Sequence, residues 1–238
     1  MRQDLSQSCT QDARLRYDSY APPAGRNLPV VIHLKEGGAT KAKRSRRGPA
    51  KTAEMFAVAQ GFSHINLSLA SNGREKPEWS AQLIRQALEC ISTGSSRFSG
   101  DSSRLFLLAS GKNTRLALEA TMQNTTKERS GKITLPAGLV LIGPSEPPVF
   151  SPAPNHTGQV LLVDTGRNEE ILGALAMAKW IEKSGATLRL SPERKRREAL
   201  LSDYGMASDQ TTRHIATFIH ERLRAIKQAQ SLHEKTLL

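Results

Sequence analysis

With 238 residues and a formal net charge of +12, the chain is long enough to bury a full core in one large domain. Its 38% apolar content exceeds that of a disordered polycation. No apolar run approaches the ~20 residues that cross a bilayer, which excludes a membrane span.

The first twenty residues lack the apolar block of a secretory signal, and Asp4, Asp12 and Asp18 weigh against a transit peptide. The expectation is an intracellular protein, cytoplasmic or mitochondrial, whose basic charge suits acidic partners. Cys9 and Cys90 are too few for a disulfide framework and lack metal-ligand spacing. Neither metal nor cofactor is expected, and Cys90 reads as a packing residue on a helix.

In chain order, apolar runs of strand length alternate with segments of helical period. Residues 1–15 read as a tail. Strands are predicted at 28–34, 62–69, 104–108, 138–142, 160–163 and 186–190. Helices are predicted at 49–60, 79–92, 114–123, 169–184 and 209–228, and 229–238 reads as a second tail. Pro49 suits a first helical turn, and Ser184-Gly185 closes the fourth helix. The proline- and glycine-rich stretch 143–158 predicts an irregular loop. Strand-helix alternation of this kind gives an α/β fold: a doubly wound, mostly parallel sheet with helices on both faces. The single domain is expected over 16–228, with functional loops at the carboxyl ends of its strands.

One stretch draws attention to chemistry. R-L-F-L-L-A-S-G-K-N-T-R-L-A-L-E-A, 104–120, runs a strand through a tight polar turn into a helix. With it go P-V-V-I-H-L-K-E-G-G (29–38), G-F-S-H-I-N-L-S-L (61–69), V-L-L-V-D-T-G-R-N-E-E (160–170) and S-G-A-T-L-R-L-S-P-E-R-K-R-R (184–197). In this order they resemble small esterase-like members of the α/β-hydrolase superfamily with little or no cap, over roughly residues 16–223.

That resemblance implies a serine–histidine–acid triad and a glycine-rich oxyanion loop. The nucleophile slot of the G-x-S-x-G elbow falls on Gly111, the acid slot on Asn168 and the base slot on Arg196. Glycine cannot attack, an amide cannot stabilise an imidazolium as a carboxylate does, and arginine stays protonated. In the oxyanion loop, Lys35 and Glu36 stand where the family has His and Gly, followed by Gly37 and Gly38. The sequence therefore reads first as a hydrolase fold with a degenerate triad, persisting as a binding or assembly component. The alternative is a carboxylesterase- or amidase-like serine hydrolase acting on a small substrate through a shifted nucleophile, Ser110.

Among the histidines, His33 and His64 read as hydrogen-bonded core residues at strand positions, and His156 sits on the long loop. His214 and His220 lie on the last helix, beyond the loop that should carry the base. Two basic clusters remain: Lys41, Lys43, Arg44, Arg46 and Arg47, and Arg194, Lys195, Arg196 and Arg197. Both loops would open on the carboxyl-end face, where they could meet a polyanion, RNA within a ribonucleoprotein or an acidic protein. With few aromatics to stack bases, such contacts would be directed at the backbone and sensitive to salt.

Overall fold

The computed structural model describes residues 2–4, 15–34, 60–69, 78–94, 99–122, 135–144, 146, 148–149, 158–164, 168–192 and 210–236. Its strands are β1 (Arg2–Asp4), β2 (Leu15–Tyr20), β3 (Leu28–Leu34), β4 (Ser63–Leu69), β5 (Gly100–Ser110), β6 (Gly138–Ile142), β7 (Gln159–Asp164) and β8 (Thr187–Pro192). Its helices are α1 (Ala81–Thr93), α2 (Asn113–Met122), α3 (Asn168–Lys183) and α4 (Gln210–Thr236). The helix predicted at 49–60 lies outside the described residues, apart from Gln60.

All eight strands join one sheet in the order β1-β2-β4-β3-β5-β6-β7-β8. From β4 to β8 every neighbouring pair is parallel, while β2 runs antiparallel to β4 and to β1. Strand alternation sends successive side chains to opposite faces, and two apolar clusters record this. One face carries Ile32, Leu34, Leu105, Leu107, Ala109, Leu139 and Leu141 against α1, α2 and α3. The other carries Val31, Phe62, Phe106, Leu108, Val140 and Val163 against Ile215, Phe218 and Ile219 of α4. Burial of each such large side chain contributes roughly 1.5–3 kcal/mol.

Local signals explain the helix that supports the elbow. Ser80 caps α1 by accepting a hydrogen bond from the Leu83 backbone N–H at 3.2 Å. Leu83, Ile84, Ala87, Leu88 and Ile91 then bury one stripe at helical spacing. From this helix Arg85 donates to the carbonyls of Glu119 and Ala120, both at 3.1 Å, covering the carboxyl end of α2.

The structure differs from the sequence reading in several features, among them strand β2, which was not predicted. Residues Arg2–Asp4, inside the expected tail, pair with Arg16–Asp18 of β2, and α4 continues to Thr236. Strand β5 begins at Gly100 rather than 104, because Leu28 and Pro29 pair with Gly100 and Asp101 before a shift of register brings Val30 opposite Leu105. Cys90, expected only to pack, is buried and disulfide-bonded; Cys9 lies outside the described residues. Among the described residues no helix is long and apolar enough to cross a membrane.

Candidate active site

Strand β5, flanked by β3 and β6, delivers the elbow to the carboxyl-end face of the sheet. Ala109 and Ser110 close the strand at 0% and 5% exposure. Gly111 then turns with φ of +54°, in the left-handed region that glycine enters without steric cost. Its N–H donates to the Ile142 carbonyl at 2.9 Å, and its carbonyl accepts from the Thr114 hydroxyl at 2.6 Å and the Thr114 N–H at 3.2 Å. The next step along the sheet repeats the pattern, as the Gly143 N–H donates to Val163 at 2.9 Å. Backbone bonds thus fix the relative height of the β5, β6 and β7 ends.

Helix α2 starts at Asn113 with no acidic residue in its first turn. Its positive dipole end therefore faces the elbow without an intrahelical counter-charge. Around it, Lys112 pairs with Glu78 at 3.4 Å, and Arg115 with Glu146 at 3.0 Å and Glu119 at 3.6 Å. The exposed Lys112–Glu78 pair contributes little to stability.

The face on which Ser110 stands follows from alternation. Phe106 and Leu108 belong to the α4 side of the sheet, so Ser110, two further along, lies on that side as well. On β3, Val31 belongs to the same side, and His33 follows it by two. In register His33 is opposite Leu108 on one flank and Asn66 on the other. Beyond it on β4, the buried His64 Nε2 and Asn66 Oδ1 are hydrogen-bonded at 3.0 Å, and the His33 and His64 rings meet edge to face at 6.3 Å. Both histidines were expected to be core residues; His64 is fully buried, whereas His33 is half-buried at the strand end nearest the elbow.

The remaining candidates are dispersed. Asn168 is the first residue of α3, which follows β7, two strands from β5. His214 is hydrogen-bonded through Nδ1 to Ser191 of β8, and β8 lies three strand spacings, about 14 Å, from β5. His220 is hydrogen-bonded through Nε2 to Gln60 at 3.0 Å and packs on Phe62 at 5.1 Å. Burial, reinforced by Arg224, holds its pKa below the ordinary histidine value. At the opposite end of β5, burial alone would raise the Asp101 carboxyl, but hydrogen bonds from Ser103 and Arg104 outweigh it and hold the group below its usual range. Lys35, Glu36, Gly37, Gly38, both basic clusters including Arg196, and His156 lie outside the described residues. Among the described residues no group of three or more His, Cys, Asp or Glu could hold a metal ion.

The fold is shared with solved structures. Esterase B from Lactobacillus rhamnosis is similar at a TM-score of 0.65 and 14% identity, over 99% of this chain and 90% of that one. A thermophilic esterase from Thermogutta terrifontis is similar at 0.63 and 12%, over 93% of each. A sugar hydrolase from Lactococcus lactis is similar at 0.60 and 16%, over 92% and 97%. No protein-family model and no curated protein matches the sequence. The chain has the α/β-hydrolase fold, as the resemblance in its segments implied.

Proposed function

We propose that the chain is a serine hydrolase of the esterase type, acting on a small carboxyl ester or amide, with Ser110 as nucleophile. The observation that carries this reading is the elbow: Ser110 ends strand β5 at the sharp turn into α2, and its hydroxyl has no hydrogen-bond partner among the described residues. The similar structures named above, two esterases and a sugar hydrolase, favour it over a purely non-catalytic role. A fluorophosphonate probe tests it directly. Folded protein should gain one phosphonyl adduct mapped to Ser110 and lose it in S110A, and a folded sample that stays unlabelled sinks the proposal.

A specific observation favours a second reading. Gly111, with φ of +54°, takes the position that the sequence resemblance assigns to the nucleophile, and it has no side chain to attack with. On that reading the fold is a binding or assembly component, and its basic residues at 41–47 and 194–197 meet a polyanion such as RNA or an acidic protein. Binding to RNA or an acidic protein at low salt, weakening steeply as salt rises, would support it. No binding at low salt would end it.

A further inference from the structure

We infer that His33 is the general base for Ser110; this rests on the hydrolase reading above and supplies the residue that reading lacks. The base slot of the family resemblance is an arginine, which cannot accept a proton near neutral pH. The sheet offers another imidazole. Strands β3 and β5 are hydrogen-bonded neighbours, with His33 opposite Leu108 and Ser110 one step of two residues higher on the same face. Such a diagonal places the two Cα atoms about 8 Å apart, from a ~4.8 Å strand spacing and a ~3.3 Å rise per residue. A histidine side chain directed along its strand has the length to bridge that gap to a serine hydroxyl, a contact that forms on substrate binding rather than in the resting site.

The other described histidine side chains are placed less well. His64 is a strand further away and is bonded to Asn66. His214 is three strands away and is bonded to Ser191. His220 lies on α4, bonded to Gln60. Among the described residues, the polar and titratable groups on the sheet face around His33 are His64, Asn66 and Ser68 on β4, Ser110 on β5 and, beyond β4, Arg16, Asp18 and Tyr20 on β2, while α4, packed on this face, adds His220 against Phe62. The His64 ring meets the His33 ring edge to face at 6.3 Å, a neighbour of the kind that orients a catalytic imidazole.

The step closes chemically. The His33 imidazole takes the Ser110 Oγ proton as Oγ bonds to the acyl carbon, and the carbonyl π pair moves to oxygen. On collapse the ester C–O bond breaks, and the departing alkoxide takes the proton from the imidazolium. Water then attacks the acyl carbon, giving its proton to His33, and Ser110 Oγ leaves and is reprotonated.

The experiment measures the rate of fluorophosphonate labelling at Ser110 against pH, by intact mass and peptide mapping, in wild type, H33Q and S110A. Circular dichroism checks the fold of each. We expect the wild-type rate to rise with pH through one inflection as the imidazole loses its proton. In H33Q labelling should slow about 100-fold or more and the inflection should vanish. Labelling of folded H33Q at the wild-type rate overturns the assignment of His33 while leaving Ser110 as nucleophile. No labelling of folded wild type overturns both. If H33Q fails to fold, the wild-type profile decides: the inflection supports the assignment, and a flat profile from pH 5 to 9 overturns it.

Discussion

Substituting Gly138 by alanine tests whether α4 and β5 are packed as tightly as the structure shows. Gly138 opens β6 opposite Phe106. A Cβ there would lie 2.9 Å from Phe106 Cδ1, 3.0 Å from Phe106 Cε1 and 3.0 Å from Phe218 Cε1. Both rings are held, at 1% and 3% exposure, so neither can swing into solvent, and relief requires moving β5 or α4 by several tenths of an ångström. Overpacking of this kind costs about 1–3 kcal/mol. The alanine recovers about 0.4–1 kcal/mol by restricting the unfolded chain, leaving a net loss of roughly 0.5–2 kcal/mol, about a 2- to 30-fold drop in the folding equilibrium. Urea unfolding followed by circular dichroism reads this as a lower midpoint with unchanged slope. Combining G138A with F106L should recover part of the loss, since the shorter side chain vacates the contested space. A midpoint at or above wild type, or strict additivity in the double variant, would refute the reasoning.

Other expectations concern the helix below the elbow, an open turn and the response to acid. S80A removes the cap of α1 and should cost about 1 kcal/mol by the same urea assay; no change would mean that another group satisfies the Leu83 N–H. G61A meets nothing within 4 Å but forces alanine into φ of +77°, so it should lose about 1–2 kcal/mol from backbone strain alone, with no rescue by F106L. His220 has a folded pKa below its ordinary value of 6.5. Its contribution is therefore fully present above that value and is lost as pH falls from 6.5 to the lower folded pKa. H220Q should flatten this part of the thermal-stability profile, and an unchanged slope would show that His220 does not cause it.

Much of the fold was legible because its signals are local. The β6 run G-L-V-L-I is apolar at every position and was read with its boundaries as found, since a strand buried on both faces needs no alternation. Strand β2, L-R-Y-D-S-Y, buries only Leu15 and Tyr17. Two apolar positions are too few to mark a strand, and its pairing with β4 supplies the rest. The polar start of β5, G-D-S-S-R, likewise has no strand signal of its own and becomes one by pairing with Leu28 and Pro29. At the candidate site, the elbow was readable from the run R-L-F-L-L-A-S-G-K-N-T-R-L-A-L-E-A, in which a strand and a helix flank the turn. His33 was not: a histidine at the end of an apolar run reads as core until the neighbouring strand is known.

The sequence by itself determined the alternation of strands and helices and the turn at Gly111. Each is written within a few consecutive residues, by periodicity or backbone freedom. Tertiary structure alone decided that β3 lies between β4 and β5, and so which histidine stands diagonally beside Ser110. Strand order joins residues more than seventy positions apart through backbone hydrogen bonds, and neither His33 nor Ser110 encodes the other.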